Sequence, residues 1–188
     1  MKKLTLILLS IIFLGTYKCS ETLEVPNAKV GPVSFECVDL IETRTDKMTD
    51  YFTSRSKNRL VISDDGGKTG FEIFCIRVGT ITDYDILIRI KVVGAGKCID
   101  QGDVVNILFR DGSRLTFNSE VSRRDAICFI AFGGMYQKNK ELNELTTKEI
   151  EAMRVWTSKG YVQKDFSSEQ SKILMSTLKC LLQLKRDN

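Results

Sequence analysis

The 188-residue chain has no histidine, only two prolines and one tryptophan, and no Cys-x-x-C spacing among its six cysteines. Without imidazole there is no Ser-His-Asp or Cys-His nucleophile pair, no His-ligated zinc and no histidine switch near neutral pH. Without Cys-x-x-C there is no local signature of an iron-sulfur, zinc-ribbon or thioredoxin-type site. No window carries the alternating oxygen ligands, glycine and closing Glu of a calcium loop. What remains open is acid/base work by carboxylates, Lys or Tyr, or a binding or structural role. A chain of this length that is 43% hydrophobic buries one core, not two.

The N-terminus reads as a separate object. Lys2 and Lys3 precede an apolar run from residue 4 to 14, broken only by small polar residues. This matches the charged and apolar parts of a secretory signal and is too short to span a bilayer. We therefore expect a signal over residues 1–20. Cys19 is a candidate lipidation site, although Lys18 stands where a lipoprotein signal places a small residue. Both prolines, Pro26 and Pro32, fall just before the first expected strand, so residues 21–32 read as a linker-like leader and 33–188 as one domain.

Export alters the charge argument. Lys2, Lys3 and Lys18 are three of the 28 basic residues, and losing them lowers the formal net charge from +4 to +1. A near-neutral mature chain has no global pull on nucleic acid or anionic lipid. The one local basic excess, residues 44–59 with Arg44, Lys47, Arg55, Lys57 and Arg59, reads as a solvated, mobile loop.

The body expects an α+β fold. It is mainly antiparallel β, as a twisted sheet or two-sheet sandwich, with a C-terminal amphipathic helix packed on it. Strands are expected at 33–37, 59–62, 70–78, 85–93, 103–109, 114–118, 126–132 and 150–157. In the strand at 85–93, Ile86, Ile88, Ile90 and Val92 make one wholly apolar face, while Arg89 and Lys91 wet the other. The strands at 70–78 and 126–132 are apolar on both faces and are expected to be central. Arg110-Asp111-Gly112-Ser113 is a hairpin signal that sets Val105, Ile107 and Phe109 beside Leu115 and Phe117. A short helix over 139–146 and a second hairpin bending at Lys159-Gly160 follow. Ser167 with Gln170 three residues on is an N-cap signature, and Ile173, Leu174, Leu178, Leu181 and Leu182 then recur at helical spacing.

An oxidising compartment permits disulfides. The body holds Cys37, Cys75, Cys98, Cys128 and Cys180. Cys75 sits mid-strand between Phe74 and Ile76, where a thiol behaves as a small buried hydrophobe. The expected bridges are Cys98 with Cys128, and Cys37 with Cys180.

Three patterns touch on chemistry. Gly67-Lys68-Thr69 ends like a phosphate-binding loop, but Ile62 stands where that loop needs its first glycine and β-type residues follow, so a hairpin turn is expected. Carboxylates occur in near-neighbour pairs (Asp64 with Asp65, Asp83 with Asp85, Asp100 with Asp103, Glu149 with Glu151), a spacing that rarely sets two carboxyls across a cleft. Arg154 and Trp156 share one side of the strand at 150–157. They either form an exposed partner-binding pair or an Arg stem covering a core tryptophan at the sheet edge.

The stretches at 63–72 (SDDGGKTGFE), 108–115 (LFRDGSRL) and 149–166 (EIEAMRVWTSKGYVQKDF), with the helix ending Leu178-Lys179-Cys180-Leu181, resemble a group of small exported proteins of Gram-negative bacteria that carry no assigned function. The resemblance covers most of the mature chain. It implies export and a single domain; its motifs are turns, a strand and a capped helix, so it implies no activity.

The resulting expectation is an exported, non-enzymatic periplasmic or surface-associated binding or structural domain without a cofactor. Its partner would be a protein or envelope component, not nucleic acid, and it would meet a membrane only through a lipid anchor at Cys19. The alternatives are a small carboxylate-dependent hydrolase and an inhibitor or immunity-type protein.

Overall fold

The structure, a computed structural model, describes residues 35–46, 48–49, 51–63, 66–80, 82–94, 99, 102–119, 127–133 and 139–184. The expected signal, the leader, Cys19 and Cys98 lie outside the described residues.

The chain order is α1 (Cys37–Leu40), β1 (Ile41–Thr45), β2 (Phe52–Ser56), β3 (Leu60–Ser63), β4 (Gly70–Gly79), β5 (Tyr84–Val93), β6 (Val104–Phe109), β7 (Arg114–Asn118), β8 (Ile127–Gly133), α2 (Asn139–Thr147), β9 (Ile150–Thr157), β10 (Gly160–Asp165) and α3 (Ser168–Gln183). A six-stranded sheet runs β1-β2-β4-β5-β8, with β3 also paired to β4, and a four-stranded sheet runs β10-β9-β6-β7. Every pairing among the described strands is antiparallel. The fold is α+β, two antiparallel sheets with α3 packed on them.

The core follows the two-residue period of the strands. Phe71, Ile73 and Cys75 of β4, Ile86, Ile88 and Ile90 of β5, and Ile130 and Phe132 of β8 share one cluster with Val105, Ile107, Phe109, Phe117 and Val155 of the smaller sheet. Phe117 meets Phe132 edge to face, ring centroids 5.6 Å apart, an arrangement that suits the ring quadrupoles. Helix α3 adds Leu174, Leu178 and Leu181, one turn apart along its buried stripe.

Local chemistry fixes the ends of these elements. Ser167 accepts from the Gln170 amide and the Gln170 side chain accepts from the Ser167 amide, the capping box expected from the sequence. At the other end Arg77, 1% exposed, reaches from β4 and donates Nη1–H to the carbonyl of Leu181 at 2.6 Å and of Leu184 at 3.4 Å. These are orphan acceptors at the negative pole of α3. Tyr84 and Phe52 enclose the guanidinium, with centroids 3.6 and 4.9 Å from its carbon, and burial pulls its pKa below the ordinary value. In the β6–β7 turn Gly112 holds φ of 81° with open space where a Cβ would sit, so backbone conformation, not room, demands glycine there.

Three expectations differ from the structure. Residues 37–40 are a helical turn, not the end of a strand. The basic stretch at 44–59 is largely the β1–β2 hairpin, where Arg55 pairs across the strands with Glu42. Strand β8 ends the path of the larger sheet, and β5, with Arg89 and Lys91 on its wet face, lies between β4 and β8. The physical reason is that apolarity on both faces reports cover above and below a strand; neighbours to left and right are set by hydrogen bonding, which side-chain pattern does not record. Of the two placements open for Trp156, the structure shows the exposed one.

Candidate functional site

One face of the four-stranded sheet lines the core; the other is open. Register sets three cross-strand rows on the open face. The middle row is Gln163, Arg154, Asn106 and Thr116, running β10-β9-β6-β7. A second row holds Asp165, Ala152, Leu108 and Arg114. The third has Tyr161 opposite Trp156 on β10 and β9.

Side chains in these rows are tied to each other. Trp156 Nε1–H donates to Asn106 Oδ1 at 3.0 Å, and Asn106 Nδ2 donates to Thr116 Oγ1 at 3.1 Å. Arg154 donates through Nε and Nη2 to Gln163 Oε1 at 2.9 and 2.7 Å, and its guanidinium carbon lies 4.4 Å from the Tyr161 ring centroid. Tyr161 meets Trp156 edge to face at 5.3 Å. Trp156 is 40% and Tyr161 50% exposed, so large aromatic surface stays in water while its orientation is fixed by neighbours. Rigid, half-exposed aromatics beside an Arg are the side chains that dominate binding surfaces.

Beside this shelf lies a groove of about 430 Å³ lined by Asn106, Arg114, Thr116, Arg154 and Gln163, with Leu108 and Ala152 at its floor. The structure thus brings the sequence-flagged Arg154 and Trp156 together on an exposed face. It adds Tyr161, Gln163, Asn106, Thr116 and Arg114, which sequence spacing did not single out. Alternation within β6, β7 and β10 marks these as outward-facing, but their assembly onto one face depends on the β6–β9 pairing, which joins segments about forty to fifty residues apart.

A second polar cluster sits at the β6–β7 turn. Lys148 Nζ lies 2.9 Å from Ser113 Oγ, 3.1 Å from Glu144 and 3.3 Å from Asp111. A Ser beside a Lys is the composition of a nucleophile with its base, but that role needs a neutral amine. Here the hydrogen bond to Glu144, reinforced by Asp111, holds the ammonium above its ordinary pKa. Hydrogen bonds from Ser113 likewise hold the Asp111 carboxyl below its ordinary value. The cluster therefore pins the turn to the end of α2 as a charged network. Among the flagged carboxylates, Glu149 is taken up by Ser168 at 2.8 Å, Arg110 at 3.4 Å and Lys172 at 3.8 Å, while Asp64, Asp65 and Asp100 lie outside the described residues. No group of three or more His, Cys, Asp or Glu suited to a metal occurs among the described residues.

Cys37 and Cys180 form a disulfide, Cα atoms 5.3 Å apart, joining α1 to α3. Cys75 is a buried free thiol, and desolvation pushes its pKa up to about 12. Cys128 is buried in β8; its expected partner Cys98 is outside the described residues. No described helix is long and apolar enough to cross a membrane. No protein-family model, curated protein or solved structure matches the chain.

Proposed function

We propose that this is an exported, non-enzymatic binding domain that engages its partner, an envelope component, through the open face of the four-stranded sheet. One observation carries the reading: Trp156, Tyr161 and Arg154 are locked to one another and to Asn106 and Gln163 while large parts of both rings remain exposed. Side chains already ordered in the free protein lose little further entropy on binding. The disulfide suits an oxidising compartment, and the apolar N-terminal run with its leading lysines supports export. Lipidation at Cys19 would add an anchor. The intact mass of protein isolated from its own cells tests it, since a lipidated N-terminal Cys19 and an unmodified cleaved N-terminus differ by the acyl groups.

The chain has one tryptophan, and it stands on the proposed face. Protein labelled with fluorotryptophan gives a single fluorine NMR resonance from Trp156. Adding detergent-solubilised envelope is expected to shift or broaden that line, and Trp156→Phe combined with Tyr161→Ala is expected to abolish co-sedimentation with envelopes. Co-sedimentation that leaves the resonance unmoved would place the contact elsewhere and end this reading.

A further inference from the structure

The groove beside the aromatic shelf has a chemistry of its own. Two guanidinium groups line it, from Arg114 and Arg154, with Asn106, Thr116 and Gln163, and no carboxylate is among the described lining residues. Asp165, the acid in these rows, is at the opposite end of its row from Arg114, across β9 and β6. From strand spacing and rise, the two Arg Cα atoms are about 12 Å apart and Trp156 is about 16 Å from Arg114. Two extended guanidinium arms can therefore close on one anionic group between them, or on two along a short chain.

We propose that this groove binds an acidic oligosaccharide, its carboxylates held by Arg114 and Arg154 and a sugar ring resting on the shelf of Trp156 and Tyr161. The inference rests on the open face being the binding surface. Three features select this ligand class. First, the groove is donor-rich and positive. Arg114 is exposed and, among the described residues, has no partner; with Nε and Nη2 of Arg154 on Gln163 Oε1, neither its Nη1 nor the Gln163 amide nitrogen has a partner among them. Guanidinium groups match carboxylates through paired donors. Second, the aromatic rings offer flat apolar surface to the C–H face of a pyranose, next to side-chain amides that match its hydroxyls. Third, the site is on a sheet face. The backbone groups there are spent in the strand ladder, so a peptide cannot add as a strand as it would at an edge, whereas a saccharide is recognised through side chains. The 16 Å span favours a short chain of sugars over a single ring.

The test uses trigalacturonate, maltotriose as its neutral counterpart, and hexaglutamate as an acidic peptide, with Trp156 emission and calorimetry as readouts. Trigalacturonate is expected to shift Trp156 emission saturably and to bind at least tenfold more tightly than either other probe. Arg114→Gln and Arg154→Gln are each expected to weaken it at least fivefold with thermal stability unchanged for Arg114→Gln, whose exposed side chain makes no hydrogen bond or ion pair among the described residues, and binding is expected to weaken as salt rises. Equal binding of maltotriose, or hexaglutamate competing as strongly, overturns the proposal. If no acidic sugar binds while solubilised envelope still moves the fluorotryptophan line, the saccharide assignment fails and the open-face reading stands. If neither moves Trp156, both fail.

Discussion

Replacing Cys37 and Cys180 together by serine tests what holds the first described elements to the rest of the domain. The bridge closes a loop with a sequence separation of 143. In the chain-entropy model a loop of that size restricts the unfolded chain by about 5 kcal/mol. Its native geometry is already served by packing: Cys180 is buried on α3, and α1 contacts α3 directly. Domains of this size are typically stable by about 5 to 15 kcal/mol, so the doubly substituted protein is expected to fold with much of its margin gone. At about 2 to 4 °C per kcal/mol, the midpoint should fall by roughly 10 to 20 °C. Urea titration of the oxidised parent and the serine variant gives the free energy directly, and the variant should show a larger m-value because its unfolded chain exposes more surface. A reducing agent should bring the parent and the variant to a common midpoint. A loss below about 1 kcal/mol would refute the argument, because it would mean the bridge restrains only a frayed turn and not the unfolded chain as a whole.

Three further outcomes follow from the interior and from the ends of α3. The Cys75 thiol is held up to about 12 from an ordinary 9.0, so the folded state favours the protonated form; its contribution is complete below pH 9 and is lost as pH rises toward 12, at about 1.4 kcal/mol per pH unit. Urea titrations from pH 8 to 11 should show this slope in the parent but not in Cys75→Ala, and an equal slope in both would reject the assignment. Arg77→Ala removes the donor that satisfies the Leu181 carbonyl and leaves a void beside Tyr84 and Phe52, and is expected to cost about 2 to 4 kcal/mol. Hydrogen exchange should then show the last turn of α3 opening first, and protection unchanged there would remove the capping role. Ser167→Ala deletes half of the capping box and should cost about 1 kcal/mol, read as a shift in urea midpoint at constant m-value; no shift would mean that the Gln170 arm alone suffices.

Where the sequence was readable, local rules were sufficient. Alternation in 85–93 and 103–118 gives β5, β6 and β7 with the right faces inward, and Asp111-Gly112 gives their turn. The capping box and the Leu174, Leu178, Leu181 spacing give α3. The β1–β2 hairpin escaped notice because its strands, such as Thr43-Arg44-Thr45 and Thr53-Ser54-Arg55, are polar. They are held by ladder hydrogen bonds, by Arg55 with Glu42 and by Thr43 with Ser54 at 2.7 Å, with only Ile41 and Phe52 as buried apolar anchors. Of the open-face site, only Arg154 and Trp156 were legible, because i and i+2 on one strand share a side whatever the fold.

The sequence alone determined the fold class, the core-facing set of most strands and the capped helix, since each depends on periodicity or local turn chemistry, whereas the pairing of Cys37 with Cys180 was one of several open choices until the fold brought α1 to α3. Strand order, and with it the site, was decided by tertiary structure. Trp156 could equally have been a core residue on periodicity alone. It is exposed because the β6–β9 pairing turns that side of β9 toward water, where β7 supplies Arg114 and Thr116 and β10 supplies Tyr161 and Gln163. Hydrogen bonding between distant strands leaves no mark in side-chain pattern, so which residues become neighbours across a sheet is fixed only when the chain folds.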